Sequence, residues 1–183
     1  LRRIAPPQRS VRMTVKELLE FIKQKLRGEE GEIIPVLRTV PIFEGMSYND
    51  LKKIEIIAHE RTFKPGETVF HEKQPGVGMY IIKRGQIKLV KNVNKKQVVI
   101  GELKNGEFFG EMSLLDDYPR SAGAIAAVRT EALGIYRPDL FDLIDRNPRL
   151  GAKIMTKFAQ RMAGRLRETT EKKVQEIGGG GKD

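Results

Sequence analysis

Phe108-Phe109-Gly110-Glu111-Met112-Ser113-Leu114-Leu115-Asp116-Asp117-Tyr118-Pro119-Arg120-Ser121-Ala122 is the stretch that decides the reading of this 183-residue chain. Gly110 lets backbone approach an anion closely, and a short helical turn starting there would point the amides of Glu111 to Ser113 outward with the positive end of their dipoles. Arg120 stands nine residues beyond Glu111, far enough for the loop to fold back so that the guanidinium fork can grip two oxygens of one phosphate. Glu111 cannot serve that phosphate, because like charges repel. Its carboxylate suits a hydroxyl donor, and a ribose 2′-OH is the natural one on a ligand whose 3′ and 5′ oxygens are tied up in a ring. An acid and a base so placed describe a sugar phosphate. Taken alone, a Gly-Glu pair and a distant arginine more often make a turn and a surface salt bridge. Phe109, Leu114, Leu115, Pro119 and Ala122, all in phase around them, favour the pocket.

The body around this segment reads as short alternating strands from about residue 60 to 136, separated by glycine turns. Candidate strands are Arg61 to Phe63, Thr68 to His71, Met79 to Arg84, Ile87 to Val93, Gln97 to Leu103, Ala122 to Ala127 and Ala132 to Tyr136. Turns are marked by Pro65-Gly66, Pro75-Gly76, Gly85 and Asn105-Gly106. Upstream, Thr14 with Glu17 predicts a helix N-terminus, and Val15, Leu18, Leu19, Ile22 and Leu26 share one face up to Gly28. The apolar stretch from Ile33 to Phe43 is interrupted by Pro35 and Pro41 and reads as short packed turns. Ser47 and Asp50 open another helix, with Leu51, Ile54, Ile56 and Ile57 towards the core. Downstream, Pro138 starts a short helix carrying Leu140, Phe141 and Ile144, which ends at Asn147-Pro148. A long helix then runs from roughly 149 to 177, with Ile154 or Met155, Phe158, Met162, Leu166, Thr169 or Thr170, Val174 and Ile177 on a stripe spaced like a coiled-coil seam. The expected fold is mainly β with flanking helices (α+β), an antiparallel β-roll of jelly-roll type. Its expected divisions are a basic disordered tail at 1–12, a helical segment at 13–58, the roll at 59–136, lid and dimerisation helices at 137–177 and a flexible tail at 178–183.

Residues 108–122 resemble the phosphate-binding cassette of the cyclic nucleotide-binding domain family. That family's pattern is phenylalanine-glycine-glutamate, an apolar residue, a small residue and leucine, then a variable loop and proline-arginine, a small residue and alanine. Phe109 to Leu114 and Pro119 to Ala122 match it. The resemblance covers roughly residues 37 to 177, with Gly66, Gly78 and Gly85 where the family's roll turns. It implies that Glu111 takes the ribose 2′-OH and Arg120 the exocyclic phosphate oxygens. It also implies that Gly110 gives access, with Met112 in the same turn, and that Ser113 and Ser121 complete the phosphate shell. The final helix is similar to the catabolite activator branch of the family through Arg161-Met162-Ala163 and Arg167-Glu168-Thr169-Thr170-Glu171-Lys172. In that branch two successive hydroxyl residues here touch the adenine amino group, one from each subunit of a dimer, so Thr169 and Thr170 are candidate base contacts. The physics agrees, since two hydroxyls in an apolar seam need partners, although a polar break in such a seam more often sets register. The branch continues into a helix-turn-helix domain, whereas this chain closes on four glycines, Lys182 and Asp183, so DNA readout by this chain is not expected.

What the resemblance implies is a sensing module whose ligand is cyclic AMP, with cyclic GMP as the alternative, acting as a homodimer through the long helix. No metal is expected: His59 and His71 are not spaced as a metal pair. Asp116 and Asp117 read as a solvated turn, and Met155 and Met162 as core filler. A phosphodiesterase would need a metal centre or a poised general base facing the phosphate, so an enzyme is not expected. The net charge of +10 invites a nucleic-acid reading, but residues 1–12 contribute +4 and 149–177 contribute +5, which leaves 13–148 nearly neutral with 21 basic and 20 acidic residues. The remaining alternatives are a ligand-free scaffold of this family, or a nucleic-acid-binding regulator using the basic ends. With no cysteine and no apolar run of membrane-spanning length, the sequence leans towards a cytoplasmic protein without membrane contact. Because the first residue is Leu1, the sequence reads as a fragment or processed chain.

Overall fold

The computed structural model describes Thr14 and residues 32–179. The helix expected over 15–28, the N-terminal tail and residues 180–183 lie outside the described residues, whereas Gly178 and Gly179, expected in a flexible tail, continue the last helix. The first element among the described residues is a helix, α1 (Ile33–Thr39), followed by a 3-10 turn at Pro41–Phe43. The stretch read as short packed turns is therefore a two-turn helix and a 3-10 turn. Pro35 sits in the first helical turn, where the amide it lacks has no intrahelical acceptor to serve. Helix α2 (Tyr48–Ile56) begins with the anticipated reciprocal cap: the Asp50 amide donates to the Ser47 hydroxyl at 3.2 Å and the Ser47 amide donates to the Asp50 carboxylate at 3.4 Å. Its core face is Leu51 and Ile54, with Ile57 packed just beyond the last turn. Ile56, also expected there, is 79% exposed, because its step of two from Ile54 carries it to the far side of the helix.

Asp50 has a second partner, since Lys153 of the final helix donates to the same carboxylate at 2.8 Å. The Lys153 hydrogen bond first, and the Ser47 bonds with it, hold the Asp50 carboxyl below its ordinary value against the opposing effect of burial. The stabilisation is therefore present above the unfolded carboxyl's pKa and is lost as pH falls through the depressed folded value. Asp50→Asn should lose about 1 kcal/mol at neutral pH. In urea denaturation its gap from wild type should close as the pH drops below about 4; a gap that persists in acid would contradict the assignment.

Eight strands follow: β1 (Ala58–Phe63), β2 (Thr68–Phe70), β3 (Gly78–Arg84), β4 (Ile87–Val93), β5 (Lys96–Leu103), β6 (Phe108–Phe109), β7 (Gly123–Ala126) and β8 (Thr130–Tyr136). They form two antiparallel sheets, ordered β1-β8-β3-β6 and β2-β7-β4-β5. Each anticipated strand is present within a few residues. β6 was not anticipated, because two residues carry no period. β4 and β5 join through Asn94 and Lys95, both in the left-handed region at φ 50° and 64°, as a two-residue hairpin turn requires.

Alternation along β3 divides the core in two. Met79 and Ile81 face the helices, while Tyr80 and Ile82 face the opposite sheet. Between the sheets lie Phe63, Ile82, Ile87, Phe109, Ala124, Ala126 and Ala132. On the outer face of the first sheet, Leu37, Ile42, Leu51 and Ile54 pack with Leu133, Ile135, Leu140, Ile154 and Phe158. The cassette turn is α3 (Met112–Leu115), whose Leu114 is fully buried in this second cluster. Helix α4 (Arg137–Arg146) leads directly into α5 (Pro148–Gly179). In α4 the buried residues are Leu140 and Leu143. Phe141 lies partly exposed beneath the Arg137 guanidinium at 5.6 Å. On α5, Ile154 and Phe158 are fully buried, but further along the same stripe Leu166 is 70% exposed and Val174 63% exposed. No helix among the described residues is long and apolar enough to cross a membrane.

Candidate functional site

The cassette lines a partly open cleft. Gly110, Glu111, Met112, Ser113, Arg120 and Ser121 all line it, with Phe70, Leu89, Leu103 and Phe108 as an apolar wall. Six of the eight candidate residues are thus brought together. Thr169 and Thr170 are not among the lining residues. They are exposed on α5, and their hydroxyls donate to the carbonyls of Arg165 at 2.8 Å and Leu166 at 2.9 Å one turn back.

Arg120 is 5% exposed, a burial that a cation rarely reaches without a partner. Its guanidinium lies over the Phe70 ring at 4.0 Å and donates to the carbonyls of Gly110 and Gly78, each at 2.7 Å. Its Nε is buried without a hydrogen-bond partner, and no carboxylate among the described residues forms an ion pair with it. Burial pulls Arg120 below its ordinary pKa, opposed by Tyr80 and then by Glu111. The backbone around Arg120 is fixed as well. Its amide donates to the Gln74 carbonyl at 2.9 Å and its carbonyl accepts from the Lys73 amide at 2.8 Å.

Two glycines make this arrangement possible. Gly110 has φ +76°, and a Cβ there would fall 2.4 Å from the Arg120 guanidinium. A Cβ on Gly76 would fall 2.0 Å from the Ser113 Cβ and 3.2 Å from Arg120 Nε, so the loop before β3 lies directly on the cassette. Gly76 had been legible only as a turn residue. Glu111 precedes α3 and is 2% exposed. Its carboxylate accepts from Arg165, which reaches across from α5 and also lines the cleft. This contact was not anticipated, although Arg165 lies one turn before Thr169 and so on its face of the helix. Asp117, read as part of a solvated turn, pairs with Arg137 at the start of α4, while the Asp116 carboxylate accepts the Tyr118 amide at 3.2 Å. His59 pairs with Asp139 at 3.1 Å. Among the described residues, no group of three His, Cys, Asp or Glu is placed to hold a metal ion.

This site can receive an anion at one end and a hydroxyl at the other, against an apolar wall. The cyclic nucleotide-binding domain family model matches residues 60–147, which include the whole cassette. The cyclic AMP receptor protein of Thermus thermophilus is 30% identical over 123 residues, 67% of this chain and 57% of that protein. The crystal structure of the Thermus thermophilus catabolite activator protein is similar at a TM-score of 0.66 and 31% identity, over 72% of this chain and 61% of that one. A cyclic nucleotide-binding-like protein from Brucella abortus is 30% identical with a TM-score of 0.56, over 62% of this chain and 98% of that one. The chain therefore spans little more than half the length of the receptor protein it matches. From the roll, the cassette and these likenesses together, the chain belongs to the cyclic nucleotide-binding domain family.

Proposed function

We propose that this chain is a regulatory module that senses a cyclic nucleotide, with cyclic AMP as its ligand. The observation that carries the reading is the pair of buried, opposite charges in one cleft: Glu111 at 2% exposure and Arg120 at 5%, the latter without a carboxylate partner among the described residues. A cyclic phosphate would supply the missing counter-charge at Arg120, and its ribose hydroxyl would donate to Glu111. Arg165 already bonds one oxygen of that carboxylate, so nucleotide and α5 would meet on one group. Ligand occupancy would thereby change how α5 is held, which gives the binding event an output. The titratable residues lining the cleft are Glu111, Arg120 and Arg165, a set suited to binding and orienting. This supports a binder rather than a hydrolase.

The preference for adenine and the homodimer belong together in this proposal. With one threonine contributed by each subunit, the base contact would need a second copy packed along the exposed stripe of Leu166 and Val174. Calorimetric titration with cyclic AMP and cyclic GMP tests the reading, and the Thr169→Ala/Thr170→Ala double variant tests the base contact. Losing one or two hydrogen bonds of about 1 kcal/mol each should shrink the cyclic AMP preference roughly tenfold. An unchanged preference in that variant would remove these threonines from the site.

A further inference from the structure

Arg161 and Arg165 lie one turn apart on α5 and both line a second cleft, of about 760 Å³, between α5 and the turn joining β5 to β6. Its other walls include Thr39, Asn105, Gly106 and Glu107. Leu103, Phe108 and Arg165 also line the cassette cleft, so Arg165 stands where the two adjoin. Arg161 is half-buried, its Nε is sealed from solvent, and that nitrogen has no hydrogen-bond partner. Arg165 is neutralised by Glu111, whereas Arg161 forms no ion pair with any carboxylate among the described residues. The cleft's own acid, Glu107, is turned to the backbone, where its carboxylate accepts the Lys104 amide at 2.7 Å. Two guanidiniums at this spacing repel each other, and a partly desolvated cation facing open space lacks the counter-charge that would offset its burial.

We propose that this cleft is a second anion site, which takes the phosphate group of a small molecule on Arg161, with Arg165 as the second donor. Two guanidiniums converging from one helix face suit a tetrahedral, multiply charged group better than a single carboxylate. An anion that draws Arg165 away from Glu111 leaves that carboxylate free for a ribose hydroxyl. On the nucleotide reading above, which this step alone requires, phosphate in the second cleft therefore tightens nucleotide binding.

The test is direct titration with inorganic phosphate and, separately, glucose 6-phosphate, followed by phosphorus NMR or calorimetry at constant ionic strength. The proteins are wild type, Arg161→Gln, Arg161→Lys and Arg120→Ala, with thermal melts to establish that each is folded. The expected result is binding to wild type and to Arg120→Ala, weakened about tenfold or more in Arg161→Gln and less in Arg161→Lys. A response to glucose 6-phosphate alone identifies a phosphorylated metabolite as the ligand, and a response to both identifies the bare anion. Binding that is lost in Arg120→Ala but unchanged in Arg161→Gln would put the anion in the cassette and overturn the proposal, as would no binding at all. In a second arm, saturating phosphate should tighten cyclic AMP binding several-fold in wild type and not in Arg161→Gln. Equal effects in the two would overturn the coupling. Intact phosphate binding with no nucleotide binding would instead count against the nucleotide reading.

Discussion

Arg120→Ala should weaken cyclic AMP binding about thirty- to a hundred-and-fiftyfold, the largest single effect expected on binding. A charge-assisted bond to a buried phosphate contributes about 2 to 3 kcal/mol, and about 1.4 kcal/mol is a factor of ten. The unpartnered Nε means that the fold itself supplies little of the guanidinium's counter-charge, so the ligand's share is large. Arg120→Lys should fall between the two, because a lysine keeps the charge but loses the planar fork. The substitution also removes the donors to Gly78 and Gly110 and the stacking over Phe70. The ligand-free alanine variant should therefore melt lower than wild type, by an amount that a thermal scan separates from the binding loss measured by calorimetry. Equal affinities in wild type and Arg120→Ala would remove the cassette from the account.

Phe158→Ala should lower stability by about 3 to 5 kcal/mol, the range for removing a fully buried aromatic from a core that cannot collapse around the gap. Phe158 is 1% exposed and packs α5 into the cluster formed by the first sheet and helices α1, α2 and α4. At about 2 to 4 °C per kcal/mol for a chain of this size, the melting temperature should drop by more than about 6 °C. Leu166→Ala, two turns further along the same helix at 70% exposure, should change the monomer's stability by less than about 0.5 kcal/mol. If both substitutions cost the same, the outer half of α5 is buried in solution, as the homodimer proposal requires. Because Phe158 anchors the helix that carries Arg165, its removal should also loosen the grip on Glu111.

The cassette was legible because each of its residues has a chemical reason to be where it is: a glycine for close approach, an acid and an arginine of opposite purpose, and apolar residues in phase. The strands were legible through alternation and glycine turns, and α2 through its Ser47 and Asp50 cap. Pro35 hid α1, since a proline in the first turn of a helix and one in a loop are identical in sequence. Ile56 was misplaced because an apolar residue beside a core position is not itself on the core face. Contacts between distant segments left no local trace. The pairing of Arg165 with Glu111 spans 54 positions. Gly76 reads as any turn glycine until Ser113 is seen beneath it. Thr169 and Thr170 were singled out by resemblance, with two hydroxyls in an apolar stripe as a second sign, and their proposed role depends on a second copy of the chain.

The most direct test of the central claim is a crystal structure of the protein with cyclic AMP bound. The account predicts the exocyclic phosphate oxygens on Arg120 and the cassette amides, with the ribose 2′-OH on Glu111. A nucleotide bound elsewhere, or one whose phosphate faces away from Arg120, would contradict it.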